Sequence, residues 1–155
     1  MDKTSSSSND NARPDLRLPA LTLGLGGARS GKSARAEALI ASHLNADTAA
    51  HRATYIATAE AGDREMAQRI ADHRERRGDQ WRTVETLLAL GDALVESTAH
   101  GEPVLVDCLT LWLSNVMHAE LDVAAETETL RAALDRARGP VVCVSNEVGL
   151  GIVPA

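Results

Sequence analysis

The chain has 155 residues, a formal charge of −6, and 44% apolar and 25% charged residues. That is enough for one globular domain with a proper core, and the acidic balance excludes the basic face a nucleic-acid partner requires. With 2% aromatic residues and no Phe, the core is to be built from Ala, Leu, Val and Ile, and stacking bases on aromatic rings is not an available binding strategy.

Residues 1–17 are rich in Ser, Asn and Asp and read as a disordered leader, which leaves 18–155 as the domain. Leu21 to Leu25 reads as a short buried strand. It runs into Gly26-Gly27-Ala28-Arg29-Ser30-Gly31-Lys32-Ser33, which fills every fixed position of the phosphate-binding loop G-x-x-x-x-G-K-[ST]. The glycines let the backbone curl so that successive N–H groups face phosphate oxygens. Lys32 can reach the β- and γ-phosphates, the Ser33 hydroxyl can sit on Mg²⁺, and the helix expected from Ser33 to Leu44 turns its positive end to the same anion. A glycine-rich turn merely joining strand to helix has no need of Lys32 and Ser33. The dinucleotide fingerprint G-x-G-x-x-G fails, because Arg29 stands where its third glycine belongs.

Ala53 to Ala59 reads as a second strand. Thr58, Ala59 and Glu60 then fall past its carboxyl end, where open parallel sheets bind ligands, although Glu60 alone is equally readable as a solvated loop carboxylate. A helix is expected over Asp63 to Arg77, with acids first and arginines last. Met66, Ile70 and His73 share one face of it, so His73 can be read as capping an apolar stripe. It can also be read chemically: Arg74, Arg76 and Arg77 disfavour its protonation and leave a neutral nucleophile beside an anion. A short strand is expected at Trp81 to Glu85, a helix at Thr86 to Thr98, and a buried strand from Pro103 ending in Asp107. An apolar strand ending in Asp, paired with a phosphate loop, matches the acid that helps to hold Mg²⁺. Helices over Leu109 to Ala119 and Asp122 to Arg138, then a strand from Pro140 to Glu147, complete the order.

Cys108 and Cys143 both lie in apolar runs that read as strands, and buried reduced thiols suit a cytoplasmic compartment. There is no C-x-x-C or Cys/His metal spacing, no apolar run long enough to span a membrane, and no basic-then-apolar N-terminal segment of a secretory signal. Strands alternating with helices imply a three-layer α/β fold with a mostly parallel sheet, here of the P-loop NTPase type.

Taken together, residues 26–33, Tyr-Ile-Ala-Thr-Ala at 55–59, Arg69-Ile70-x-x-His73-x-x-x-Arg77, Trp-Arg-Thr-Val-Glu at 81–85, Asp107-Cys108-Leu109-Thr110 and Ser-Asn-Glu-Val-Gly-Leu-Gly-Ile-Val-Pro at 145–154 resemble the bifunctional adenosylcobinamide kinase / adenosylcobinamide-phosphate guanylyltransferase family. The resemblance implies phosphorylation of adenosylcobinamide by ATP or GTP, followed by GMP transfer from GTP through a guanylyl-histidine to adenosylcobinamide phosphate. It implies His73 as the nucleophile, and nucleotide contacts from Gly26 to Ser33, Thr58 to Glu60, Arg74, Glu75, Arg76, Arg77, Glu85 and Asp107, with Ser33 and Asp107 on Mg²⁺. It also implies a homotrimer. The family pattern continues through one more helix and strand beyond Pro154, so exposed apolar sheet is expected at one edge. Two other readings fit the same residues: a P-loop kinase for another small hydroxylated substrate, needing Lys32, Ser33 and Asp107 but no histidine adduct, and an inactive nucleotide-binding remnant.

Overall fold

The computed structural model describes residues 18–27, 30–46, 50–59 and 64–146; within the helix at 64–77 the side chains of Glu65, Met66, Arg69, His73, Arg76 and Arg77 are not described. The elements are β1 (Leu21–Gly26), α1 (Lys32–Asn45), β2 (Ala53–Ala57), α2 (Arg64–Arg77), β3 (Trp81–Glu85), α3 (Leu90–Ser97), β4 (Val104–Asp107), α4 (Leu109–His118), α5 (Val123–Arg136) and β5 (Val141–Asn146). The expected leader at 1–17 and the residues from Glu147 onward lie outside the described residues.

Five strands form one sheet in the order β1-β5-β4-β2-β3, and every pairing is parallel. Period-2 alternation then divides the sheet's side chains between two cores. One face carries Tyr55, Ala57, Leu105, Val142 and Val144 against Ala36, Ile40 and Leu44 of α1 and Ile70 of α2. The other carries Ile56, Val104, Val106, Val141 and Cys143 against Leu90, Leu94, Trp112, Val116 and Leu130 of α3, α4 and α5. This is the three-layer arrangement expected of strands buried on both faces, which read as continuous apolar runs rather than alternating ones. Each fully buried Leu, Ile or Val contributes about 1.5–3 kcal/mol.

The ends of the elements follow local chemistry. Asp122 caps α5 by accepting the Ala125 N–H at 3.2 Å, and Glu126 and Arg136 complement its dipole. The helix expected from Thr86 starts instead at Leu90. The reason lies in the four preceding residues: Thr86 N–H donates to Ala57 O, while the Leu87 and Leu88 carbonyls accept side-chain donors from Asn115 and Trp112, so the segment is tied to its neighbours instead of to itself. β2 ends at Ala57, two residues short of expectation, because the Thr58 N–H already reaches across to Asp107 O.

Two further expectations are corrected. β1 is not buried: among the described residues it lies at the sheet edge, paired only with β5, and Leu21, Leu23 and Leu25 are 51%, 54% and 61% exposed. An apolar run marks a strand but does not give its place in the sheet. Cys108 is not in a strand; it is the residue capping α4, where its sulfur accepts the Leu111 N–H at 3.4 Å. Cys143 is in β5 and buried, and both thiols are free.

Candidate active site: the carboxyl edge of the sheet

Because the strands are parallel, their carboxyl ends share one edge. The register sets Gly26 opposite Asn146, and Ala57 opposite both Asp107 and Glu85. Residues that are 26, 57–58, 85, 107 and 145–146 in sequence thereby become neighbours. α1 and α2 pack on one face and α3, α4 and α5 on the other, so the loops after β1 and β4 part toward opposite faces and leave a crevice between them.

The phosphate loop leaves β1 at Gly26 and enters α1 at Lys32. Gly31 adopts φ +78°, the left-handed conformation that glycine takes at little cost, and lets the chain reverse into the helix. Gly26 makes room of another kind: a Cβ there would stand 2.5 Å from Ser30 Oγ, and the serine side chain would have to turn away. The turn is closed by Ser30 N–H donating to Gly27 O at 3.2 Å. No side chain caps the start of α1, and its first turn holds no acid, so the positive end of the helix is left for an external anion. The Lys32 ammonium donates to Gly27 O at 3.1 Å, which keeps its charge at the loop. Ala28 and Arg29 lie outside the described residues.

Asp107 closes the other side of the crevice. Its Oδ2 accepts the Ser33 hydroxyl at 3.2 Å and the Tyr55 hydroxyl, so the loop and the acid, 74 residues apart, are in direct contact. A serine hydroxyl and a carboxylate are hard oxygen donors of the kind Mg²⁺ takes, alongside substrate phosphates and water. They therefore fit the ion expected there. Among the described residues no group of three or more His, Cys, Asp or Glu side chains gathers to form an all-protein metal cage.

Thr58 braces the acid. It is fully buried, its hydroxyl accepts the Cys108 N–H at 3.1 Å and donates to Cys108 O at 2.9 Å, and its own carbonyl accepts from Asn115 Nδ2 at 2.7 Å. Thr58 thus works mainly as a clamp between β2 and β4. Ala59 beside it is buried too; Glu60 lies outside the described residues. Burial, with the neighbouring Asp107 charge, pushes the Cys108 thiol above its ordinary range, which disfavours the thiolate form.

On the β3 side, Arg74 of α2 and Glu85 approach to 4.0 Å with both side chains largely exposed. A contact of that kind is worth at most about 1 kcal/mol. It does bring two of the expected nucleotide-binding residues together at the end of β3. Glu75 is exposed on the same helix. His73, Arg76 and Arg77 belong to α2, but their side chains lie outside the described residues.

Three features of this edge escape sequence reasoning. Thr110 Oγ1 sits 2.9 Å from Ser145 Oγ and accepts the Asn146 N–H at 2.9 Å, joining α4 to β5. Asn115 of α4 bridges the Thr58 and Leu87 carbonyls. Tyr55 is placed by sequence only in a strand, yet its hydroxyl meets the acid. Each depends on the register between distant strands, for which one sequence carries no signal.

The family model described as cobinamide kinase / cobinamide phosphate guanyltransferase matches residues 22–155. The bifunctional adenosylcobalamin biosynthesis protein CobP of Pseudomonas aeruginosa is 49% identical over 134 residues, covering 84% of this chain and 73% of that protein. The bifunctional adenosylcobalamin biosynthesis protein CobU of Escherichia coli is 39% identical over 144 residues, covering 83% of this chain and 76% of that protein. Among solved structures, the flagellar accessory protein FlaH from Methanocaldococcus jannaschii is similar at a TM-score of 0.49 and 15% identity, covering 84% of this chain and 62% of that one. That likeness is too slight to bear on function.

Proposed function

The chain belongs to the cobinamide kinase / cobinamide phosphate guanyltransferase family, and from that premise we propose that both reactions run on the one nucleotide site at the carboxyl edge. In the kinase reaction the hydroxyl of the aminopropanol arm of adenosylcobinamide attacks the γ-phosphorus of ATP or GTP. The bond to the β,γ-bridging oxygen breaks, the nucleoside diphosphate leaves, and the hydroxyl proton passes to water or a base. In the guanylyltransferase reaction a ring nitrogen of His73 attacks the α-phosphorus of GTP, and the bond to the α,β-bridging oxygen breaks with release of pyrophosphate. A phosphate oxygen of adenosylcobinamide phosphate then attacks the same phosphorus and displaces the histidine, giving adenosylcobinamide-GDP.

Imidazole suits this task because, uncharged, it attacks well, and once guanylylated it leaves well. Two in-line displacements divide one difficult transfer into two easier ones. The residues around it have separate duties. Gly26 to Ser33 bind the phosphates through backbone N–H groups, and Lys32 balances charge on the β- and γ-phosphates. Arg74, Arg76 and Arg77 would disfavour protonation of His73 and add positive charge for the triphosphate, and Thr58, Ala59, Glu60, Glu75 and Glu85 would complete the nucleotide contacts. Ser33 and Asp107 would hold Mg²⁺, which when bound neutralises charge that develops on the transferring phosphoryl group.

The observation that carries this reading is the contact of Ser33 with Asp107 at 3.2 Å, which joins a phosphate loop to an acid at the end of a buried strand. A homotrimer in the cytoplasm, with the corrinoid as acceptor, completes the proposal; no helix of the described residues is long and apolar enough to cross a membrane. The test is incubation with Mg²⁺ and GTP labelled at the α-phosphorus. The expected product is labelled protein, labile to acid and stable to alkali, absent from a His73→Ala variant that still binds nucleotide. Label that persists in that variant would remove His73 from the mechanism.

A further inference from the structure

Tyr55 is one of three tyrosine or tryptophan side chains in the whole chain, and it is 3% exposed in the middle of β2. Its strand partner in β4 is Leu105, and Leu105 stands two residues before Asp107. Positions two apart on a strand face the same side, so Tyr55, Leu105 and Asp107 all lie on the sheet face that α1 covers. Ser33 arrives on that face from the first turn of α1. The ring of Tyr55 packs in the core with Leu105, Val142 and Val144, and only a side chain of its length, set diagonally to the acid, can send a donor from the core to the carboxylate.

We infer that Tyr55 is a positioning residue for the acid of the nucleotide site: its hydroxyl fixes the Asp107 carboxylate through Oδ2 and thereby sets how firmly the site holds a divalent cation with the nucleotide. The inference rests on the proposed function only in taking this edge as the metal–nucleotide site. Its physical basis is the difference between the two hydroxyls on Oδ2. Ser33 belongs to the phosphate loop, and its oxygen is itself a candidate metal ligand, so its bond to Asp107 is shared with the ligand. Tyr55 belongs to a strand paired on both sides, and its ring is held by packing. Its hydroxyl reaches the site through Asp107 Oδ2. Partners that orient a metal-binding carboxylate in this way commonly cost 10–100-fold in metal affinity when removed, and hydrogen bonds to charged groups are the stronger kind.

Tyr55→Phe keeps the ring and deletes the donor. The measurement is binding of the α,β-methylene analogue of GTP to the full chain by calorimetry, with Mg²⁺ and again with EDTA, alongside Mn²⁺ binding read by electron paramagnetic resonance in the presence of that analogue. The expected result is that Mn²⁺ binds about 10-fold more weakly, that analogue affinity falls with Mg²⁺ present, and that affinity in EDTA is unchanged. The Mg²⁺ concentration for half-maximal kinase rate rises in parallel, while KM for nucleotide at saturating Mg²⁺ stays put. Unchanged Mn²⁺ affinity, or an equal loss with Mg²⁺ and with EDTA, would reduce Tyr55 to a core residue and overturn the inference. A wild-type chain that fails to bind the Mg²⁺–analogue complex would instead sink the reading of the site itself. Tyr55→Leu, which loses ring and hydroxyl together, separates packing from positioning: positioning predicts the same loss of Mn²⁺ affinity as in Tyr55→Phe, and a loss in Tyr55→Leu alone would be packing and would overturn the inference.

Discussion

β4 and β1 deliver the two halves of the site to the same edge from opposite circumstances. β4 is paired on both sides, and Val104, Leu105 and Val106 are fully buried between the two helical layers. Its terminal Asp107 is then held by Ser33, Tyr55 and the Thr58 clamp. Among the described residues β1 is paired on one side only, and three of its leucines are more than half exposed. A gap of about 160 Å³ remains beside it, lined by Thr22, Gly24, Gly26, Lys32, Arg35 and Leu39 among others, and Thr22 Oγ1 is buried with no hydrogen-bond partner among the described residues. The acid ends a strand paired on both sides and buried along most of its length, and the phosphate loop is hung from an edge strand with exposed leucines. On the proposed reading of the site, this division lets the loop adapt to the triphosphate while the acid stays fixed.

The comparison can be broken most directly at Leu105. Leu105→Ala should cost about 2–5 kcal/mol, the range for a fully buried leucine in a core that relaxes only in part, measured by urea unfolding. A cost below about 1 kcal/mol would mean that β4 is not the fixed element. Next comes Gly26→Ala. The added Cβ would meet Ser30 Oγ at 2.5 Å and turn that side chain out of its place in the loop, so nucleotide affinity should fall by up to about 10-fold, or 1.4 kcal/mol. The unfolding midpoint should barely move, because β1 adds little packing to lose. Equal losses of binding and stability would tie the loop to the core after all.

A smaller effect tests β5, the strand between them. Burial pushes the Cys143 thiol up to about 12, from an ordinary 9.0, so the folded state keeps the proton that the unfolded chain gives up above pH 9. Above that pH the unfolded state binds fewer protons than the native one, and stability falls with rising pH by about 1.4 kcal/mol per unit until the folded thiol titrates near 12. Cys143→Ala should remove that much of the slope between pH 9 and 11; an identical slope in variant and wild type would show that the thiol is not sealed in the sheet. Smallest of all is Leu23→Ala on the open edge, where a change within about 0.5 kcal/mol is expected.

Much of this architecture is legible in the residues. The phosphate loop announces itself because its spacing is dictated by phosphate geometry, and the strand–helix order follows from apolar runs and glycines. Asp107 is readable as a partner because an acid ending an apolar strand gains meaning beside a phosphate loop. What is not legible is whatever depends on strand order. The leucines of β1 and the valines of β4 look alike in sequence, yet one set faces outward and the other is sealed, since the order β1-β5-β4-β2-β3 is a long-range outcome. Tyr55 shows the same limit: its place in a strand is evident, but its reach to Asp107 depends on pairing Tyr55 with Leu105. The late start of α3 escapes for a related reason, because the donors that hold Leu87 and Leu88 come from α4, more than 20 residues on.

The central claim is that one triphosphate, gripped by the loop at the end of β1, presents its α-phosphorus to a residue of α2. Peptide mapping by mass spectrometry after a single turnover with Mg²⁺ and GTP, on the wild-type chain and on Lys32→Ala, tests it most directly. The account predicts a GMP adduct on His73 alone in the wild type, with its rate of formation lowered about 10²–10³-fold in the variant, the usual effect of removing one charge-stabilising donor. An adduct on any other residue, or one that forms at full rate without Lys32, would contradict it.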